Sequence, residues 1–135
     1  MRERNNQMAG VILVVEDDPT LLRAITRNLT ARGYMTRGAA SVAAALAAIE
    51  DARPAVVVLD VALPDGSGWE VVRALREDGG PSVAVIVISA LRPNPRLIGE
   101  LGITHVLEKP FPMESLLRLV EESMRHPAIS RGANP

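Results

Sequence analysis

The sequence predicts an α/β fold: one doubly wound parallel sheet with helices on both faces. Three observations predict it. "VILVV" (11–15), "AVVVLD" (55–60) and "VAVIVIS" (83–89) are apolar, β-branched and free of polar alternation, as strands covered on both faces are. Segments of helical period lie between these runs. The chain of 135 residues is the length of one domain able to bury a core, and no repeat or linker divides it.

Taken in order, "VILVV" is the first strand. Asp18-Pro19 then offers an N-cap followed by proline at the first helical position. Leu22, Ile25 and Leu29 share one face of the helix that follows, and Gly33 ends it. "YMTRGA" (34–39) is a weaker strand. Ser41 caps the alanine-rich helix "VAAALAAIEDA". "AVVVLD" is the next strand, "LPDGSG" (63–68) reads as a loop, and "WEVVRALRE" (69–77) as a helix. After "VAVIVIS", the segment "RPNPRLIGEL" makes a poor helix, because Pro93 and Pro95 delay or shorten it. "HVLE" is a short strand. "MESLLRLVEESM" (113–124) is the last helix, with Leu116, Leu117 and Val120 as its apolar stripe. Residues 1–9 and 126–135 are expected to be flexible ends.

Composition narrows the function. Sixteen acidic residues nearly balance fifteen Lys and Arg, for a net charge of -1. That argues against direct nucleic-acid binding, which leaves a basic footprint. The absence of cysteine excludes disulfides, thiolate metal sites and a Cys nucleophile. His105 and His126 match no metal-ligand spacing. No apolar run approaches the roughly 18 residues of a membrane span, and the polar start lacks a signal-peptide core. A cytoplasmic protein is the expectation.

In open α/β sheets the working site lies at the carboxyl ends of the strands. There the sequence places Glu16-Asp17-Asp18, Asp60, Ser89 and Lys109. Singly, each is ordinary: Asp18 and Ser89 read as caps, and a lone lysine as a solvated one. Together they converge on one edge. Clustered carboxylates repel unless a cation joins them, and Mg²⁺ suits one or two carboxylates plus a phosphate and waters. Of the fifteen basic residues only Lys109 is lysine. A compact ammonium on a flexible stem reaches a carboxylate or phosphoryl oxygen in a way that a planar guanidinium does not. The plainer alternative is an incidental lysine in an arginine-biased chain.

"ILVVEDDP", "VVVLDVALPDGSGWEVVRALR", "VIVISA" and "LEKPF" resemble the receiver domain of two-component response regulators, over residues 10–125 and in the family's order. The resemblance implies a flavodoxin-like receiver fold with strand order 2-1-3-4-5. It implies that Asp60 accepts a phosphoryl group from a sensor histidine kinase or a histidine phosphotransfer protein. Mg²⁺ would be held by Asp17, Asp60 and the backbone carbonyl of Ala62, with Glu16 acting through water. Ser89 matches the switch hydroxyl and Lys109 the lysine that pairs with the phosphoryl group. Lys109-Pro110 is expected to be cis. Such a domain assists its own phosphorylation and dephosphorylation without being a dedicated enzyme. It signals to an unknown downstream protein, and both a monomer and a weak homodimer are open.

Three departures qualify the likeness. The family's switch aromatic is replaced by Val106, which cannot swing as a ring does. The fourth helix is expected to be short or irregular. Ala62 and Leu91, at positions that tune phosphoryl lifetime in the family, are apolar, which predicts slow self-dephosphorylation. Alternatives are a receiver-like docking module that is never phosphorylated, and a receiver excised from a longer regulator. An Asp-nucleophile phosphatase wants a second Asp where Ala62 stands, and a flavin domain wants aromatic residues this chain lacks.

Overall fold

The computed structural model describes residues 10–77 and 82–125. The expected flexible ends lie outside them. Five strands, β1 (Val11–Val15), β2 (Met35–Ala39), β3 (Val56–Asp60), β4 (Ala84–Ser89) and β5 (His105–Glu108), form one parallel sheet in the order β2-β1-β3-β4-β5. The helices are α1 (Pro19–Ala31), α2 (Val42–Asp51), α3 (Gly68–Glu77), α4 (Pro95–Glu100) and α5 (Met113–Arg125). The predicted order is the observed one.

The strands explain the layers. Successive side chains leave a strand on opposite faces. Leu13, Val15, Val57, Leu59, Val85 and Val87 therefore meet α2 and α3 on one side. Ile12, Val14, Val56, Val58, Ile86 and Ile88 meet α1 and α5 on the other. Two apolar layers cover the sheet, which is why these strands carry no polar alternation. The stripe Leu116, Leu117 and Val120 is buried as its helical spacing predicts, each side chain worth about 1.5–3 kcal/mol on leaving water.

The caps follow the sequence. Asp18 accepts from Thr20 N and Ser41 from Ala44 N, each closing the start of its helix. Gly33, just past the end of α1, takes the φ of 95° that a side chain would resist. The fourth helix is short: α4 has six residues, starts only at Pro95 behind Asn94, and buries none of its side chains. Its far end is tied down. The Arg76 guanidinium of α3 donates to the carbonyls of Leu101 (2.8 Å), Val83 (2.9 Å) and Gly102 (3.0 Å).

One local reading is corrected. "LPDGSG" is not plain loop: Ala62–Leu63 pairs antiparallel with Gly66–Ser67. The pair forms because β3 must turn back within a few residues to launch α3, and Gly66, at φ 157°, lets the chain reverse.

Candidate functional site

The carboxyl ends of β1, β3, β4 and β5 gather the six residues Glu16, Asp17, Asp60, Ala62, Ser89 and Lys109 at one edge of the sheet, as the strand order requires. Carboxylate oxygens of Glu16, Asp17 and Asp60 all lie within 4.8 Å of one another. Glu16 is fully buried and Asp60 nearly so, whereas Asp17 is exposed.

Lys109 holds this cluster together. Its Nζ donates to Asp60 Oδ2 at 2.7 Å and stands 3.0 Å from Glu16 Oε1. The second contact pairs charge without the alignment of a hydrogen bond, so Glu16 Oε1 is a buried oxygen that accepts no hydrogen bond. Glu16 Oε2 accepts from Asp18 N at 3.0 Å. Asp60 Oδ1 accepts from Ala62 N at 2.9 Å, so both acceptor oxygens of Asp60 are oriented.

The protonation equilibria follow. Burial pushes the Glu16 carboxyl above its ordinary 4.5. The Asp18 N–H and the Lys109 ammonium pull it back only in part, and the Asp60 charge raises it further. Burial works against the Lys109 ammonium too. There its contacts with Asp60 and Glu16 win, and its pKa stands above 10.5.

Ser89 ends β4 between Asp60 and Lys109. Its hydroxyl is engaged with Leu91, donating to the carbonyl at 2.6 Å and accepting from the N–H at 3.2 Å. The Lys109 N–H donates to Ser89 O at 2.8 Å, and the Lys109-Pro110 peptide is cis. Leu91 is 80% exposed at the rim. Val106 is half-buried against the α2 and α3 side of the core.

The donor set fits a hard divalent cation. It consists of oxygens only, includes a buried carboxylate oxygen with no hydrogen bond, and has Asp17 open to solvent, where waters would complete the shell of a bound ion. Beside it a groove of about 610 Å³ opens between α1 and the turn after β5, lined by Leu21, Ala24, Pro110 and Phe111 among others.

Two contributors escaped the sequence reading. Gly68 packs so closely on the end of β3 that a Cβ would lie 2.7 Å from Asp60 O and 2.8 Å from Val61 Cα. Asp65 accepts from Val42 N at 2.8 Å and Ala43 N at 3.0 Å, fastening the turn after β3 to the start of α2. The "PDG" string around Asp65 signals a turn, but nothing local names a helix 23 residues earlier in the chain.

Comparison with known proteins agrees with this geometry. The sequence profile described as "Response regulator receiver domain" matches residues 12–121. The transcriptional regulatory protein KdpE of Mycobacterium tuberculosis is 38% identical over 117 residues, covering 85% of this chain and 51% of that protein. The DNA-binding response regulator MtrA of Mycolicibacterium smegmatis is 33% identical over 114 residues, 84% of this chain and 50% of its own length. The chain thus spans about half the length of these curated relatives. Among solved structures, a CheY-like receiver domain protein from Methanospirillum hungatei superposes with a TM-score of 0.78 at 26% identity, over 87% of this chain and 94% of that one. The non-phosphorylated HemR receiver domain from Leptospira biflexa gives 0.75 at 27% identity, over 85% and 94%. With a family match across most of its length and the acid-and-lysine edge in the same chain, this protein belongs to the response regulator receiver domain family.

Proposed function

We propose that the chain is a phosphoacceptor that takes a phosphoryl group onto Asp60 from a phosphohistidine of a sensor histidine kinase or a histidine phosphotransfer protein. The observation that carries this reading is the meeting of Glu16, Asp17, Asp60 and Lys109 at one sheet edge. An Asp60 oxygen forms the new P–O bond while the P–N bond breaks, and the imidazole leaves with the electron pair. Such transfers need positioning and charge neutralisation more than covalent help. Ala62 N and Lys109 fix the carboxylate in place, and the Lys109 ammonium, kept charged, offsets charge on the transferred group. Asp17, Asp60, the Ala62 carbonyl and, through water, Glu16 would hold Mg²⁺, which supplies further neutralisation of phosphoryl oxygens. Ser89 would leave Leu91 and turn its hydroxyl to the phosphoryl group. The apolar groove beside the cluster gives a phosphodonor protein a surface to settle on. Output would pass by protein contacts, from this domain alone or as part of a longer regulator of the kind its relatives represent.

Intact mass after incubation with a small acyl phosphate and Mg²⁺ tests the reading. One phosphoryl increment is expected on the wild type, and none without Mg²⁺ or in Asp60→Ala. No increment on a folded wild type would leave the second reading, a docking module that works without phosphorylation, which the valine at position 106 favours.

A further inference from the structure

The turn between β3 and α3 carries more than its own geometry needs. It is shaped locally: the Ala62–Leu63 and Gly66–Ser67 pairing closes it, Gly68 N donates to Val61 O at 2.8 Å, Ala62 N to Asp60 Oδ1, Ser67 N to Glu70 Oε2 and Trp69 N to Ser67 Oγ. A further anchor reaches outside it. Asp65, itself exposed, spends both carboxylate oxygens on the first two N–H groups of α2. That helix already has an N-cap, because Ser41 accepts from Ala44 N. Ser41 leaves the N–H groups of Val42 and Ala43 open, and Asp65 fills both from outside the helix, which ties the turn to α2 in the same step.

Following the bonds shows what it is. The start of α2 comes directly after β2, whose last residue accepts from the backbone of the acid cluster: Glu16 N donates to Ala39 O at 2.9 Å. A continuous path results. It runs from Glu16 to Ala39, along the backbone to Val42, across to Asp65, back through the turn to Ala62, and from Ala62 N to Asp60. The turn that presents Ala62 is thus referenced to the strand end that presents Glu16 and Asp17. Asp65 is the side chain that ties the turn to α2 by hydrogen bonds, beside the packing of Leu63 on the core.

We propose that Asp65 is a positioning residue for cation binding: by clamping the β3–α3 turn to the start of α2, it sets the Ala62 main chain and the Asp60 carboxylate at the distance from Glu16 and Asp17 that a divalent cation needs. The proposal rests on reading the acid cluster as a Mg²⁺ site. Residues that orient metal ligands from behind cost about tenfold or more in affinity when removed, and exposure of Asp65 makes its removal mild for the fold.

The experiment is titration of Mg²⁺ into the full chain, free of phosphodonor, followed by calorimetry and by the fluorescence of Trp69, the single tryptophan. Four proteins are compared: wild type, Asp65→Ala, Asp65→Asn and Ser41→Ala. Asp65→Ala is expected to weaken Mg²⁺ about tenfold, and Asp65→Asn, which keeps one acceptor oxygen, to recover part of the loss. Ser41→Ala removes the other cap of the same helix and is expected to bind Mg²⁺ as wild type does, even where its Tm falls as far. Equal affinity in Asp65→Ala and wild type would overturn the proposal, and so would an equal loss in Ser41→Ala, which would reduce the effect to helix capping. A wild type that binds no Mg²⁺ would instead overturn the reading of the acid cluster, and the proposal with it.

Discussion

The ammonium of Lys109 lies 2.7 Å from Asp60 Oδ2, although β3 and β5 are not neighbours and β4 runs between them. One flexible side chain thus bridges the ends of three strands and pairs with two carboxylates that the backbone brings together. The variants below separate its part in stability from its part in function.

Replacing Lys109 with Ala leaves the buried Glu16 and Asp60 with no cation. Orphaning a charge in a fully buried pair costs about 3–5 kcal/mol, and with Lys109 partly exposed about 2 kcal/mol is expected. Urea unfolding measures it. Mg²⁺ should narrow the gap to wild type, since it replaces the missing charge. Lys109→Arg should keep most of the stability yet fail to accept phosphate, because its fork does not reproduce the ammonium contact. Full phosphorylation of Lys109→Arg would contradict the role given to the lysine.

The raised Glu16 pKa has a definite sign. A carboxyl that binds its proton more tightly folded than unfolded loses stability as pH rises from 4.5 through its folded value. Lys109 acts elsewhere: its contribution is intact below 10.5 and fades only as pH passes its raised folded value. In chelator, as pH rises from 4.5 through the folded pKa of Glu16, the wild type should therefore carry a downward slope that Glu16→Gln lacks. The variant should be the more stable one at neutral pH and should gain less from Mg²⁺. Parallel stability profiles for the two proteins would show that Glu16 is not the group responsible.

Gly68→Ala places a methyl against backbone atoms that cannot rotate away. Overpacking of this kind costs about 1–3 kcal/mol. The strain falls on the peptide of Asp60, so the variant should also bind Mg²⁺ less tightly. Loss of stability with unchanged Mg²⁺ affinity would separate the packing from the site.

Neither Ala62 nor Leu91 offers a side-chain hydrogen-bonding group to an attacking water. Ala62→Asn supplies one at the exposed mouth of the cluster. Release of phosphate from the phosphorylated protein should quicken on the order of tenfold, less than a full general base delivers. A time course of the phosphorylated mass decides it, and an unchanged half-life would mean that the lifetime is set elsewhere.

Strands, caps and most of the site were legible because each is written locally. "VILVV" and "VAVIVIS" announce burial on both faces, Asp18-Pro19 announces a helix start, and Pro93 with Pro95 announces a late, short α4. The convergence of Glu16, Asp60 and Lys109 followed from parallel strands, which put all carboxyl ends on one edge. What stayed hidden depends on partners distant in sequence. Asp65 looks like any turn residue until α2 is beside it, Arg76 like any surface arginine until the carbonyls after α4 come within reach. The Ser89 bonds to Leu91 are local, but a serine after a strand can equally cap, bond water or face a ligand, and only the folded surroundings choose.

The carbonyls of Leu101 and Gly102 held by Arg76 give α4 an asymmetry of its own. A helix of six residues, about 9 Å long, is pinned at Leu101 and Gly102, while its other end follows directly on the segment that Ser89 grips at Leu91. It is a lever with its fulcrum at the far end. A displacement of Leu91 would enter where the arm is longest and emerge as tilt, so a change of angle at the outer face of α4 is expected with no aromatic ring to push it.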